Sequence, residues 1–284
     1  MVTFEKVKKK DLMQLKERGF SSVKTKTEYE QERMKGPGPG PVTLVLFNSN
    51  KLLLQGAEAK VADTKKLLQK LKIGKPVKKE KLHFKQEKGT IIGSDEALKG
   101  DTFGGLVVAA VRADSAERQR LKQLGIADSK QLSDKEISAI AGQLRKTANY
   151  HVISLEPKDY NKLRKQYNMT GLMNLLHMEC ASKLSIDSIA KHVVDKFPGC
   201  NTGDIIETKA ESKYVEVAAA SILARDEAKK QIERLSRKLK IKVPMGSTHV
   251  KEALDVLKKK GLPFERFVKL DFQNVARAMK QQAL

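Results

Sequence analysis

Apolar positions change their spacing twice along this chain. Between residues 4 and 18 they recur at intervals that predict a helix, ended near Gly19. The Gly/Pro run from 36 to 41 cannot continue a helix or a ladder. After it, VTLVLF (42–47) and KLLLQG (51–56) flank Asn48-Ser49-Asn50 and predict a β-hairpin. Residues 57–72 return to helical spacing through Val61, Leu68 and Leu71. One hairpin and two helices make a thin core, so further strand is expected within 20–35. The stretch GKPVKKEKLHFKQEK (74–88) has a proline, many lysines and little apolar content, and reads as a linker.

From residue 89 the pattern becomes that of an α/β domain. TIIG (90–93), FGGLVVAAVRA (103–113) and YHVISL (150–155) are strand-like. Residues 115–124 and 134–147 predict helices, and a long helical stretch follows from about 170 to 191. The short apolar run HVVD (192–195) has the character of a buried strand, and residues 216–239 form the longest helical segment. The expected organisation is a small domain over 1–73, a linker over 74–88 and a larger α/β domain over 89–284. No internal repeat is visible.

Charge sharpens this division. The chain of 284 residues carries 56 Lys+Arg against 34 Asp+Glu, a net +22. Residues 1–88 hold 22 of the basic and 10 of the acidic residues, so a net +12 sits in less than a third of the length. A field of this sign concentrates polyanions, of which nucleic acid is the commonest. The two cysteines, Cys180 and Cys200, form no CxxC pair, which argues against a thiolate metal site and suits a reducing compartment. No apolar run is long enough for a bilayer and the N-terminus lacks a signal-peptide core, so a cytoplasmic protein with no membrane partner is expected.

The sharpest local feature is GSDEALKGDTFGG (93–105). Asp95 and Glu96 follow a short apolar strand and precede a turn, a natural place for Mg²⁺, which takes oxygen ligands and keeps part of its water shell. Adjacent strand residues point to opposite faces, so both acids serve one site only if the strand ends or bulges here. The same segment also fits a solvated acidic turn. Asp195 closes the apolar run 192–194 in a similar way, although a turn or cap aspartate has the same look. Glu233 lies among Lys229, Lys230 and Arg234 on a helix, where a surface ion pair is the plainer reading.

The order of segments narrows these alternatives. GSDEALKGDTFGGLVVAA, then GIADSKQLSD (125–134), then TKAESKYVEVAAASILAR (208–225) closely resembles the type 2 ribonucleases H over residues 89–284. YNKLRKQYNMTGLMNLLH (160–177), with Asn174 and His177, VPMGSTHV (243–250) and FVKLDFQN (267–274) resemble the HIII branch rather than HII. The layout of the basic module resembles the TBP-like substrate-binding domain carried by HIII enzymes. The resemblance implies a ribonuclease H-like mixed sheet flanked by helices, preceded by that small α+β domain. It implies a monomeric endonuclease that hydrolyses the RNA strand of RNA–DNA hybrids with Mg²⁺ (Mn²⁺ also possible) in a two-metal scheme, leaving 5′-phosphate and 3′-hydroxyl ends.

Carried over by position, the catalytic and metal-binding acids fall on Asp95, Glu96 and Asp195, with Glu233 as the fourth and Asp226 or Glu227 as its substitutes. Leu98, Lys99, Gly100, Asp128, Ser129, Lys130 and Lys209 match substrate-binding positions, the lysines toward phosphate or sugar. Four positions depart from the family pattern. Leu98 replaces a glycine in the loop that approaches RNA 2′-hydroxyls, where a Cβ is expected to obstruct the strand. Thr102, Gly105 and Asp271 stand where Tyr, Pro and His are usual. Two other functions therefore stay open: a hybrid-binding protein with weak or no catalysis, and HII-like cutting at single embedded ribonucleotides.

Overall fold

The protein is described from a computed structural model that covers residues 2–77, 84–126, 132–185 and 190–280. It divides into two units, Met1–Glu80 and Lys81–Leu284. Among the described residues no helix is long and apolar enough to cross a membrane.

The first unit is a six-stranded antiparallel sheet in the order β2-β3-β4-β5-β1-β6. Its strands are β1 (Val2–Glu5), β2 (Ser21–Val23), β3 (Glu30–Lys35), β4 (Thr43–Phe47), β5 (Leu52–Gln55) and β6 (Lys75–Pro76). The hairpin forms as its alternation predicts, with Leu44 paired to Leu54 and Leu46 to Leu52. These side chains share one face with Phe4 and Met34, where Val61 and Leu68 of α2 (Glu58–Lys70) cover them. The strands expected within 20–35 are β2 and β3.

Two expectations are corrected here. Residues 4–18 are not one helix. They give β1, a 3₁₀ turn (Lys9–Leu12) and the four-residue α1 (Met13–Lys16). Phe4, Val7, Leu12 and Leu15 are all buried, but Lys6 at φ 59° breaks the chain between them. Nor is 74–88 wholly a linker, because Lys75–Pro76 pairs with β1. Toward its other end, the Lys85 N–H donates to the Lys213 carbonyl, and the Glu87 and Gly89 carbonyls accept from Arg118.

The second unit holds a five-stranded mixed sheet in the order β11-β10-β7-β8-β9. These are β7 (Ile91–Ala97), β8 (Leu106–Ala113), β9 (Asn149–Leu155), β10 (Lys191–Asp195) and β11 (Ile205–Glu207). β7, β8 and β9 run antiparallel, while β10 lies parallel to both β7 and β11. Helices cover both faces. Val107, Ala109 and Val111 meet α7 (Val215–Leu239) and α4 (Asp134–Thr147), while Leu106, Val108 and Ala110 meet α6 (Met169–Ser182). The helical stretch expected over 170–191 ends at Ser182.

What positions the centre is the approach of α7 to β7. The first half of α7 is rich in Val and Ala, and Val217, Ala218, Ala219, Ala220 and Ala224 are fully buried. Small side chains let the helix lie against the sheet, and Gly93 completes the fit. A Cβ at Gly93 would run into the Val217 nitrogen, so any other residue would push the helix off.

Candidate active site

Asp95 lies on the α7 face of the sheet. Its register partner Ala109 belongs to the core on that side. Val194 pairs with Ser94, so one step further Asp195, the last residue of β10, comes beside Asp95. Alternation puts Asp195 on the same face as Val193, which packs with Val217 of α7. Asp195 is fixed there by the Ala210 N–H, which donates to its Oδ1 at 3.0 Å. That amide opens a 3₁₀ turn, Ala210–Ser212, entered through Lys209 in the left-handed region at φ 55°.

The turn brings in an acid to which the sequence reading gave no role. Glu211 is 7% exposed and close enough to Asp95 for its charge to oppose that group's ionisation. Asp95 is likewise 7% exposed, and Ser221 of α7 hydrogen-bonds its carboxylate. Burial first, and then the charges of Glu96 and Glu211, hold the Asp95 carboxyl well above the usual carboxylate range. Crowded, buried carboxylates of this kind are what a divalent cation with hard oxygen preference stabilises.

Glu96 enters differently. β7 stays in regular register with β8 through Ala97, without the ending or bulge expected between the two acids. Glu96 therefore starts on the α6 face, opposite Asp95. Its charge is nonetheless close enough to oppose the ionisation of Asp95. Its Oε2 lies 3.5 Å from His177 Nε2 of α6, at the limit of hydrogen bonding, and its Oε1 lies 3.4 Å from Lys99 Nζ. Burial alone would raise this carboxyl, but His177 and Lys99 outweigh it and hold Glu96 below the usual range. His177 is fixed from behind by Ser94, whose hydroxyl is 2.8 Å from both His177 Nδ1 and His192 Nε2.

The structure does not bring Glu233 to this place. Ser221 touches Asp95, and Glu233 is twelve residues further along the same helix, about 18 Å away at the α-helical rise. Its side chain is exposed. Asp226 is taken up by Arg145 at 2.6 Å, Lys230 at 2.8 Å and Ser138 at 3.1 Å, and Glu227 by Arg234 at 3.3 Å. Glu207, beside Asp195 on β11, is held down to about 2 by Lys213, Lys85 and Tyr214. Among the described residues no three His, Cys, Asp or Glu side chains stand ready around a single metal ion. Asp95 and Glu211 lie within reach of each other's charge, and Asp195 ends the neighbouring strand on the same face, held by the turn that carries Glu211.

The substrate positions divide as well. Leu98 sits at φ 67°, in the region that favours glycine, but its side chain is 3% exposed and packs into the core. The expected obstruction by its Cβ is thus directed inward. Gly100 is exposed, with open space where a Cβ would be. The Lys99 ammonium lies 4.9 Å over the Phe197 ring as well as beside Glu96, and Lys209 is exposed. Asp128, Ser129 and Lys130 lie outside the described residues. Of the remaining departures, the Gly105 N–H donates to Gln231 at 2.7 Å, a bond that proline cannot make, and Thr102 Oγ1 accepts from Asn274 at 2.8 Å.

A mixed sheet with acids at the ends of two neighbouring parallel strands, packed against a buried helix, is the architecture of the ribonuclease H-like fold. The family profile of ribonuclease HII matches residues 92–275. A ribonuclease HIII of Bacillus anthracis is 34% identical over 269 residues, covering 84% of this chain and 86% of that protein. One of Ureaplasma parvum is 34% identical over 177 residues, 56% of each chain. Among solved structures, Bst ribonuclease HIII in complex with Mn²⁺ is similar with a TM-score of 0.62 at 26% identity, covering 99% of this chain and 98% of that one. Ribonuclease H3 of Aquifex aeolicus gives 0.59 at 27%, covering 95% and 100%. The chain belongs to the ribonuclease HII family of type 2 ribonucleases H, and within it to the ribonuclease HIII branch.

Proposed function

We propose that this ribonuclease H hydrolyses the RNA strand of RNA–DNA hybrids at the site formed by Asp95, Glu96, Asp195 and Glu211, leaving 5′-phosphate and 3′-hydroxyl ends. The observation that carries this reading is the burial of Asp95 and Glu211 within reach of each other's charge, with Asp195 at the end of the neighbouring strand. Like-charged carboxylates are buried together there, and an arrangement of that kind is costly without cations. The four carboxylates would hold divalent ions, Mg²⁺ or Mn²⁺, and the Mn²⁺ complex of the Bst enzyme supports that choice. Such ions supply charge neutralisation at the phosphate and a more acidic attacking water.

The chain's own groups prepare this arrangement. Ser221 and the Glu96 N–H, which donates to Asp95 Oδ1 at 2.8 Å, orient the Asp95 carboxylate. The Ala210 N–H does the same for Asp195. His177 and Lys99 keep Glu96 ionised at the rim. Lys209, exposed two residues before Glu211, would meet a backbone phosphate. The exposed Gly100 leaves room for a strand to approach the loop.

The test is digestion of an end-labelled RNA–DNA hybrid in Mg²⁺ and in Mn²⁺, with analysis of the RNA termini. Cleavage of RNA alone to 5′-phosphate ends supports the reading. Tight hybrid binding without cleavage in either metal would favour a binding protein. Cutting confined to duplexes with one ribonucleotide would transfer the activity to that substrate.

A further inference from the structure

Lys269 is completely buried, and its ammonium reaches two peptide carbonyls of the substrate loop. Nζ donates to the Leu98 carbonyl at 2.7 Å and to the Asp101 carbonyl at 2.5 Å. It also lies 5.3 Å over the Tyr160 ring and 5.4 Å over that of Phe272. Its backbone is fixed on both sides. The Lys269 N–H donates to the Thr102 carbonyl, while Asn161 accepts from the Leu270 N–H and donates to the Val268 carbonyl. Burial pushes this ammonium down to about 8, although Asp101 and Asp271 oppose the shift. A charge kept in such surroundings needs its acceptors, and both of them belong to the loop.

The loop itself is bent unusually. Leu98 holds φ 67°, and its carbonyl also accepts from the Asp101 N–H at 3.2 Å, closing a tight turn. The far side of the turn is tied to residue 246: the Asp101 carboxylate accepts from the Gly246 N–H, and the Thr102 N–H donates to the Gly246 carbonyl. All described peptide bonds are trans. In a trans unit the N–H points opposite to the carbonyl. Drawing the Leu98 carbonyl inward therefore turns the Lys99 N–H outward, next to the exposed Gly100.

We propose that Lys269 is a positioning residue for substrate selection, whose ammonium holds the Leu98 and Asp101 carbonyls inward and thereby aims the Lys99 peptide N–H at a ribose 2′-hydroxyl. This rests on the RNA–DNA hybrid being the substrate. It also gives the leucine at 98 a rationale: a side chain in the left-handed region is retained where a buried cation and its own apolar packing hold the turn together. Selection for RNA then depends on a residue 171 positions away in the chain.

The experiment compares an RNA–DNA hybrid with a DNA duplex of the same sequence by fluorescence anisotropy, in chelator so that no turnover intervenes. Wild-type protein is expected to prefer the hybrid, and Lys269→Met to lose about tenfold of that preference, one hydrogen bond's worth of discrimination. Mn²⁺ affinity, read by calorimetry, stays within about twofold, and under turnover KM for the hybrid rises more than kcat falls. Adding Leu98→Gly to Lys269→Met restores part of the preference, because glycine takes the left-handed turn without a clamp. A folded Lys269→Met protein with unchanged preference overturns the proposal. Should that variant not fold, amide exchange on wild-type protein decides, since the Lys99 amide must slow with hybrid and not with DNA duplex. Lack of preference in the wild type is a different failure: it removes the proposed substrate, and this inference falls with it.

Discussion

Replacing Glu211 by Gln and Glu233 by Gln separates two assignments of the fourth carboxylate. Glu211 is buried against Asp95, on the turn whose Ala210 amide fixes Asp195. If it anchors a cation, loss of its charge should lower kcat on a hybrid by about 10² to 10³, or roughly 3–4 kcal/mol of transition-state stabilisation. Glu233 is exposed and about 18 Å along α7 from the Ser221 contact. At that distance a unit charge in water contributes only about 0.2 kcal/mol before screening, a rate factor of about 1.4. A second readout guards against trivial loss. Glu211→Gln removes a like charge from beside Asp95, so its melting temperature in chelator should equal or exceed the wild type's while its Mn²⁺-induced stabilisation shrinks. Single-turnover cleavage and thermal melts with and without Mn²⁺ measure both. Wild-type turnover in Glu211→Gln, or a hundredfold loss in Glu233→Gln, would refute this geometry.

Three further outcomes follow from other parts of the molecule. Removing residues 1–80 keeps the Lys85 and Arg118 ties of the second unit and should weaken hybrid binding, reducing the slope of log K against log salt by about 0.9 for every phosphate that the basic unit neutralises; an unchanged slope would make that unit purely structural. His192 is pushed down to about 4, by burial first and then by His177, while free histidine titrates near 6.5. Its contribution is therefore complete above pH 6.5 and is lost as pH falls toward 4, about 3 kcal/mol in all, and urea unfolding at pH 7.5 and pH 5 should show a decline that His192→Gln flattens. Arg118 pairs with the buried Glu216 at 2.6 Å, so Arg118→Met should cost about 3–5 kcal/mol in unfolding free energy, with Glu216→Gln in the same protein recovering part of it.

The sequence made some of this plain and concealed the rest for identifiable reasons. Strands β4, β5, β7 and β10 were readable because each is a short run of aliphatic residues bounded by turn residues. Asp95, Glu96 and Asp195 stood at the ends of such runs. The first eighteen residues misled because Phe4, Val7, Leu12 and Leu15 keep near-helical spacing, and one left-handed lysine, Lys6, converts that spacing into strand, turn and short helix. Glu211 lies within the block 208–225, but Asp226, Glu227 and Glu233 of α7 offer acids at more prominent helical spacing. The available clue is physical: an acid just before the Val- and Ala-rich first half of a helix lies where that helix meets the sheet. Lys269 lies in the segment FVKLDFQN, but nothing in that segment marks its ammonium as buried. Its burial depends on Tyr160, Phe272 and the 98–101 turn meeting across more than a hundred residues.

Metal-dependent hydrolysis of RNA in a hybrid is the activity assigned to the Asp95 centre. It is tested most directly by presenting a hybrid labelled on both strands to wild-type protein and to Asp95→Asn, in Mg²⁺, in Mn²⁺ and in chelator. The wild type in metal should give RNA fragments with 5′-phosphate ends, with the DNA strand intact throughout and no products in chelator. Asp95→Asn should bind the hybrid nearly as well as wild type and cut nothing. Wild-type turnover by Asp95→Asn, or undiminished cleavage in chelator, would contradict it.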